Sequence, residues 1–288
     1  MPLSERDRER FLAAALGAAA EAGAIHRSHF RRPDLAVERK ADGTPVTPAD
    51  RLAEEAVREC LGRATPELGC LGEELGQEGS ERDRWIIDPL DGTKNFVAGL
   101  PYFAVLIALE LDGELALGLV HAPLLGPGAG LGAAAPSADG TARGETWWAA
   151  RGHGAWAGTG TRPETCRQRR LAASAESELG RAFLSHGGLR RIQALGLWPR
   201  FGALVGAVGR TRGFGDFWGH VLVAEGRCEA MVEGAVALHD VAPIKVLVEE
   251  AGGVFLTRGG APLVPAFEDA VLSANRPLAA EIAAHLGF

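Results

Sequence analysis

The chain has 288 residues, 47% of them hydrophobic and 23% charged, so it can bury a full core as one large or two mid-sized globular domains. Its net charge of -7, with no basic tract, argues against nucleic acid or an anionic membrane as a partner. No apolar run approaches the roughly 18 residues of a membrane-spanning helix, and the start of the chain is unlike a signal peptide. Four cysteines without CxxC pairing predict reduced thiols and, with them, a cytoplasmic protein.

Helices and strands are predicted to alternate from the start of the chain. Apolar residues at helical spacing indicate one amphipathic helix from about Ser4 to His29, with Ser4 as its N-cap. A short strand is predicted at 35–37. Thr47 as N-cap and Pro48 at the first helical position then predict a second helix.

The central part of the chain predicts a sheet. Its short apolar strands are expected at 70–72, 85–87, 102–111, 114–121 and 147–150. The third and fourth of these flank Asp112-Gly113, which is a strong hairpin signal. The stretch from Leu125 to Gly144 is dominated by Gly, Ala, Pro and Ser, and this composition predicts a long mobile loop between two strands.

The second half repeats the alternation. Helices are predicted at about 216–225, at about 240–251 and after Pro277, and strands at 229–232, 254–256 and 271–273. Such interleaving favours layered sheets covered by helices. A division near residue 155 is expected, which separates an N-terminal half, 1–155, from a C-terminal half, 156–288.

Acidic residues follow the predicted strands at several places. Glu73 and Glu74 follow one strand, Asp88 and Asp91 follow the next, and Asp240 opens a helix far downstream. In α/β layers, sites form beyond the carboxyl ends of strands, so these carboxylates are expected to converge. Their repulsion, about 4 kcal/mol for each pair at 4 Å, is tolerable only with cations present. Oxygen ligands without His or Cys favour magnesium or manganese over zinc.

Each acidic residue also has an explanation that needs no metal. Asp-Pro and Asp-Gly are common turn dipeptides, and acidic residues after strands often cap helices. Asp50 is an example, since Thr47-x-x-Asp50 is close to a capping box. For any one of these residues, the explanation as a turn or cap residue is sufficient. The metal hypothesis depends on the set as a whole.

Four motifs spread over most of the chain resemble the inositol monophosphatase superfamily of magnesium-dependent, lithium-sensitive phosphomonoesterases. They are PVTPAD at 45–50, LGEE at 71–74, WIIDPLDGTKNF at 85–96 and HDVAPIKVLVEEAGG at 239–253. Within that superfamily the chain is most similar to the bacterial histidinol-phosphate phosphatases. The resemblance implies an α+β fold, a layered αβαβα sandwich, and a homodimer.

The resemblance also implies the roles of individual residues. Two or three Mg²⁺ ions, with Mn²⁺ as a substitute, are expected at Glu73, Asp88, Asp91, Asp240 and the carbonyl of Leu90. The attacking water is expected to be oriented by Thr93, which Asp50 polarises, with Glu73 as the other residue that reaches the water. The backbone N–H groups of Gly92 and Thr93 are expected to bind a phosphate oxygen.

The resemblance further implies that residues of the second half recognise the substrate. Asp216 and Glu233 are expected to bind the cationic part of histidinol phosphate, because an ammonium gains a charge-assisted hydrogen bond from a carboxylate. Asp216 is equally explained as the N-cap of the next helix, and Arg212 as a substrate contact or a structural ion pair. Lys40 and Lys94 could neutralise phosphate charge or simply be solvated.

The sequence departs from the family pattern at two positions. His239 replaces a tryptophan, and it is interpreted as a packed replacement, with an extra ligand or a pH-sensitive neighbour as alternatives. Pro243 is expected to be tolerated within the first turn of its helix. The expected activity is hydrolysis of L-histidinol phosphate in histidine biosynthesis. The alternatives are an inositol-1-monophosphatase or a broad sugar or nucleotide phosphatase, and a non-catalytic metal-binding homologue.

Overall fold

The computed structural model describes residues 2–40, 43–125, 144–161 and 168–288. Within these ranges the helices are α1 (Glu5–His29), α2 (Pro48–Ala64), α3 (Thr93–Val97), α4 (Leu189–Ala194), α5 (Trp198–Ala207), α6 (Asp216–Ala224), α7 (Leu238–Glu250) and α8 (Ala279–Leu286). The loop predicted at 125–144 falls almost entirely on positions 126–143, outside the described residues.

The strands of the N-terminal part are β1 (Glu38–Arg39), β2 (Pro45–Val46), β3 (Gly69–Gly72), β4 (Gly76–Glu78), β5 (Arg84–Asp91), β6 (Ala104–Leu111), β7 (Glu114–Ala122), β8 (Glu145–Ala150), β9 (Ala155–Thr159) and β10 (Arg169–Arg170). Apart from the β1–β2 pair, they form an eight-stranded sheet in the order β10-β9-β8-β7-β6-β5-β3-β4. Only the β3–β5 pair in this sheet is parallel among the described residues.

The C-terminal strands are β11 (Phe183–His186), β12 (Arg210–Arg212), β13 (Ala230–Ala237), β14 (Val254–Thr257) and β15 (Glu268–Ala274). They form a five-stranded mixed sheet in the order β12-β11-β13-β15-β14. In β13 the register shifts between Glu233 and Val236, where Ala235 has a φ of 54°. This bulge lies next to the site described below.

The helices separate and cover the two sheets. The buried faces of α1 and α2 pack on one side of the eight-stranded sheet, through residues such as Phe11, Val57 and Trp85. Helices α6 and α7 lie between the sheets, and α4, α5 and α8 cover the outer face of the five-stranded sheet. The resulting order of layers is αβαβα, which confirms the predicted α+β sandwich.

Most predicted elements are present, with two corrections. The strand predicted at 35–37 is wrong: the strand is β1, because Glu38 and Arg39 are the residues that pair with β2, while Leu35 packs against a small core cluster. Pro243 does not lie in the first turn of α7, because that helix already begins at Leu238. Its missing N–H would have bonded to the carbonyl of His239, four residues earlier.

The division near residue 155 stays a prediction. Strand β9 begins at Ala155 and continues the eight-stranded sheet by pairing with β8. None of the helices in the described ranges is long and apolar enough to cross a membrane.

Candidate active site

A bulge at the end of β5 turns two aspartates to the same side of the sheet. Asp88 pairs with Leu106 and Asp91 pairs with Ala104, so Pro89 and Leu90 lie opposite a single residue of β6. In a regular strand, residues three positions apart face opposite sides. The extra residue of the bulge cancels this alternation, and both carboxylates reach the pocket between the sheets.

Asp240, the third residue of α7, completes a carboxylate cluster. One oxygen each of Asp88, Asp91 and Asp240 lies within 4.8 Å of the others. Loss of water around these groups raises their pKa values, and the negative neighbours, among them Glu73 near Asp88 and Asp216 near Asp91, raise them further. Such a concentration of carboxylate oxygens suits a hard divalent cation such as Mg²⁺.

Each carboxylate of the cluster also accepts one backbone hydrogen bond. Asp88 Oδ1 accepts from the N–H of Leu90 at 2.9 Å, and Asp240 Oδ2 accepts from Ala237 at 2.7 Å. Asp91 Oδ2 accepts from Phe217 of α6 at 2.7 Å. These bonds fix the side-chain rotamers and leave a second oxygen on each aspartate, so the cluster is built before any ligand binds.

Glu73 reaches the same pocket but is held by an ion pair. Its Oε1 lies 2.7 Å from Nζ of Lys40, which also contacts Glu74. Burial opposes the charge of this ammonium, but the two glutamates outweigh it and raise the pKa of Lys40. Lys40 therefore supplies positive charge at the edge of the acidic cluster, and Lys94 lines the pocket as well.

Asp50 connects a helix cap to Thr93. Its Oδ2 accepts hydrogen bonds from the N–H and the hydroxyl of Thr47, at 2.8 and 2.7 Å, which caps α2. Its Oδ1 lies 3.0 Å from Oγ1 of Thr93, and that hydroxyl is 2.9 Å from the carbonyl oxygen of Leu90. Both explanations of Asp50, as a cap and as part of the site, therefore describe its geometry.

Asp216, the first residue of α6, lines the same pocket. The N-cap of this helix is Gly215, so the N-cap explanation of Asp216 is wrong. Its side chain instead accepts a hydrogen bond from Nδ2 of Asn95 at 2.9 Å. Burial, together with the charge of Glu233, raises its pKa to about 6.

Glu233 projects from the bulge of β13 beside Asp216. Its Oε1 accepts from the N–H of Asp216 at 3.3 Å, and its Oε2 lies 3.4 Å from Nε2 of His220. A side chain at position 187 would place a Cβ 2.2 Å from Glu233 Oε1, so Gly187 leaves the room that this carboxylate occupies.

Arg212 is not brought to the pocket. It lies exposed because β12 is an edge strand of its sheet. Its side chain donates to the carbonyl of Thr211. The arginine that lines the pocket is Arg191 of α4, which donates to the carbonyl of Ala235 at 3.0 Å. Nothing in the local sequence distinguishes Arg191 from a surface arginine, so sequence reasoning missed it.

His239 faces the carboxylates. Its Nε2 lies 3.5 Å from Oδ1 of Asp240 and 4.0 Å from Oε1 of Glu73. The residue therefore provides a polar ring at the position where the resemblance implies a tryptophan. Its interpretation as a packed replacement does not account for the contacts of this ring with the two carboxylates.

One cavity of about 820 Å³ lies between the sheets, and its lining includes most of the carboxylates described above together with Arg191 and His239. Asp216 and Glu233 line this cavity beside the cluster of Asp88, Asp91 and Asp240. Gly92, with a φ of 84°, precedes α3 and lines the same cavity, and a Cβ there would lie 2.8 Å from the carbonyl oxygen of Tyr102. The pocket can therefore hold cations, an anion bound through them, and a second positively charged group.

Comparison with known proteins identifies the family that shares this sequence and fold. The inositol monophosphatase family model matches residues 7–288. A histidinol-phosphatase of Mycobacterium tuberculosis is 42% identical over 241 residues, with 83% of this chain and 84% of that protein covered. An inositol-1-monophosphatase of Rhizobium meliloti is 34% identical over 238 residues, with 80% and 79% covered. The extragenic suppressor protein suhB of Bartonella henselae has a TM-score of 0.77 at 27% identity, with 95% and 96% covered.

The fold and the acidic site define a phosphoric monoester hydrolase of a metal-dependent type. The family match extends over nearly all of the sequence, and the relatives align over most of their own length. The chain belongs to the inositol monophosphatase family.

Proposed function

We propose that this protein hydrolyses L-histidinol phosphate to L-histidinol and phosphate, a step of histidine biosynthesis. The observation that carries the proposal is a second pair of carboxylates in the same cavity, half-buried Asp216 and buried Glu233, beside the aspartate cluster. A substrate with a phosphate at one end and a cationic group at the other matches this distribution of charge. The similarity to the histidinol-phosphatase of Mycobacterium tuberculosis supports the same substrate.

The metal centre of the proposal consists of this chain's oxygen ligands. Two or three Mg²⁺ ions, with Mn²⁺ as a substitute, are proposed to bind Glu73, Asp88, Asp91, Asp240 and the carbonyl of Leu90. Bound Mg²⁺ neutralises phosphate charge and lowers the pKa of water. The raised pKa values of the aspartate cluster agree with this assignment, because carboxylates crowded together bind protons or cations.

Thr93 and Asp50 are proposed to position the attacking water. The Thr93 hydroxyl donates its proton to Asp50 Oδ1 or to the Leu90 carbonyl, so its oxygen lone pairs can accept a hydrogen bond from a water. Asp50 cannot rotate away, because Thr47 holds its other oxygen. Glu73 is the second carboxylate proposed to accept from this water.

The phosphate and the leaving group are proposed to bind different residues of the pocket. The N–H groups of Gly92 and Thr93 bind a phosphate oxygen at the start of α3. The ammonium of L-histidinol binds Asp216 and Glu233, and a charge-assisted hydrogen bond of this kind contributes roughly 1.5–3 kcal/mol. That free energy suffices to favour the cationic substrate over an uncharged polyol.

Thr93→Val tests the proposed water position. Valine keeps the shape of threonine and removes the hydroxyl, so we expect kcat to fall by about 10²-fold, which is a typical contribution of an aligned proton acceptor. Binding of Mn²⁺, measured by titration calorimetry, is expected to stay within about threefold of wild type. A kcat close to the wild-type value would exclude Thr93 from the mechanism.

Phosphate release from L-histidinol phosphate and from inositol 1-phosphate, measured side by side with Mg²⁺ and with a chelator, tests the substrate. We expect a Mg²⁺-dependent preference for histidinol phosphate. Equal or inositol-favoured rates would support the inositol-phosphate or broad sugar-phosphate alternative. No release from either substrate by metal-loaded protein would support a non-catalytic homologue.

The proposal includes a cytoplasmic homodimer. The described cysteines, Cys60, Cys70 and Cys228, are free thiols, which suits a reducing compartment. Sedimentation equilibrium at micromolar concentration measures the oligomeric state, and a monomer mass would remove the dimer from the proposal.

A further inference from the structure

A histidine of α1 contacts the β5 bulge from the side away from the cavity. His26 is fully buried, and its Nε2 lies 2.8 Å from the carbonyl oxygen of Pro89. Pro89 stands between Asp88 and Leu90, two of the residues proposed to bind the metals. The contact thus joins the first helix of the chain to the centre of the site.

The Pro89 carbonyl needs a donor because the bulge takes it out of the β5–β6 register. Neither Pro89 nor Leu90 has a Cα partner in β6, and the partners resume at Asp91. A buried carbonyl without a hydrogen bond is costly, and Nε2–H of His26 supplies a donor to the Pro89 carbonyl. The bulge conformation therefore depends on a side chain from outside the sheet.

The tautomer of His26 follows from this contact. A carbonyl oxygen only accepts, so the proton is on Nε2, and Nδ1 is buried without a hydrogen-bond partner among the described residues. Burial lowers the pKa of His26 to about 3, so the ring is neutral at neutral pH and carries one N–H. The rings of Phe96 and Phe103 lie edge-on to the imidazole, with centroids 6.4 and 5.7 Å away, and restrict its rotation.

The next carbonyl along the chain has a different neighbour. The Leu90 carbonyl oxygen lies 2.9 Å from Oγ1 of Thr93, whereas the Pro89 carbonyl is bonded to α1. The Leu90 side chain is 1% exposed, so the segment cannot turn over without removing a leucine from the core. Holding one carbonyl therefore sets the orientation of the other.

We propose that His26 is a positioning residue for the metal centre. Its Nε2–H bond to the Pro89 carbonyl fixes the bulge in the conformation that directs Asp88, Asp91 and the Leu90 carbonyl into the cavity. The role toward the metal rests on the proposed function, whereas the role toward the bulge does not.

The test uses His26→Phe, which keeps an aromatic ring and removes the donor, and His26→Gln, whose amide can donate to the same carbonyl. His121→Phe is the matched control. His121 is also fully buried and pairs with Val105, the residue of β6 opposite the bulge, but its Nδ1 lies 2.9 Å from Thr146 Oγ1 instead of a bulge carbonyl. The measurements are the Kd for Mn²⁺ by titration calorimetry and amide hydrogen exchange of a peptide covering 85–96, both on the full chain.

We expect His26→Phe to weaken Mn²⁺ binding about tenfold and to speed amide exchange in 85–96 about tenfold, as a lost buried hydrogen bond does. His26→Gln is expected to recover most of both effects, and His121→Phe to lower Tm with Kd and exchange within twofold of wild type. Unchanged exchange in His26→Phe, or equal effects of His121→Phe, would overturn the positioning role. Failure of wild type to bind Mn²⁺ would refute the metal centre, while exchange in 85–96 would still decide the role of His26 in the bulge.

Discussion

The two walls of the pocket are built in different ways. The metal wall, defined by Asp88, Leu90 and Asp91 and named for the metals that it is proposed to bind, comes from one continuous stretch of β5 and its bulge. The specificity wall, defined by Asp216 and Glu233 and named for their proposed role in substrate choice, combines a helix start with a bulge in another sheet. A continuous motif can be recognised in sequence, whereas a wall assembled from separate elements depends on the packing between them.

Each wall is hydrogen-bonded to a residue that is next to, or close in sequence to, the other wall. Asn95 donates to Oδ2 of Asp216 at 2.9 Å, and the N–H of Phe217 donates to Oδ2 of Asp91 at 2.7 Å. Each bond connects residues more than a hundred positions apart, so the specificity wall is positioned against the metal wall directly. The comparison therefore predicts that changes in the metal wall abolish activity, while changes in the specificity wall alter substrate choice.

Asp91→Asn is expected to have the largest effect. Losing a charged oxygen of the cluster should lower kcat/KM at least 10³-fold on every phosphate ester and weaken Mn²⁺ binding. The metal-free variant should unfold at the same or a higher temperature than wild type, because like-charge repulsion falls. Asp112→Asn, at an exposed hairpin turn with φ of 53°, is the control and should behave as wild type. Retained activity and metal dependence in Asp91→Asn would remove the assignment.

Asp216→Asn should change selectivity. We expect kcat/KM for histidinol phosphate to fall by about 10- to 100-fold and that for inositol 1-phosphate by less than threefold, since only the former carries an ammonium. The ratio of the two values is the measurement. Equal losses on both substrates would show that Asp216 supports the pocket generally. The predicted difference between the two walls, loss of activity against change of substrate choice, would then not hold.

The stability of the metal-free protein should depend on pH through the same residue. The folded-state pKa of Asp216, about 6, exceeds its ordinary value of 3.8, so the folded state binds more protons than the unfolded state. Its destabilising effect is therefore complete above pH 6 and is relieved as pH falls toward 4. Between pH 7.5 and pH 5 we expect a gain of about 1 kcal/mol in unfolding free energy from this group. Denaturant titrations should show a smaller gain in Asp216→Asn; an equal gain would assign it to other carboxylates.

Arg212→Ala should have the smallest effect, with kcat/KM within twofold of wild type, because this side chain lies exposed on an edge strand. Arg191→Ala is the comparison. It removes the donor to the Ala235 carbonyl, which lies in the bulge next to Glu233. The loss should displace Glu233 and lower kcat/KM for histidinol phosphate by roughly tenfold. If Arg212→Ala lowered kcat/KM more than Arg191→Ala did, the assignment of substrate choice to Asp216 and Glu233 would be wrong.

The parts of the fold that could be predicted depend on local signals. Ser4 and Thr47 cap their helices as expected, and the Asp112-Gly113 turn joins β6 to β7. The strand at 35–37 was wrong because a two-residue strand is decided by its partner rather than by its own side chains. No periodic pattern predicted β11, β12 or α5.

The sequence by itself predicted the family, the layered fold class and the proposed ligands of the metal wall, because those residues lie in short motifs that resemble the family's. Only the tertiary structure decided which arginine lines the pocket, that Asp216 bonds to Asn95 rather than capping its helix, and that His26 bonds to Pro89. The physical reason is that these contacts join residues far apart in the chain. Their partners are chosen by the packing of whole helices and sheets, which no local pattern records.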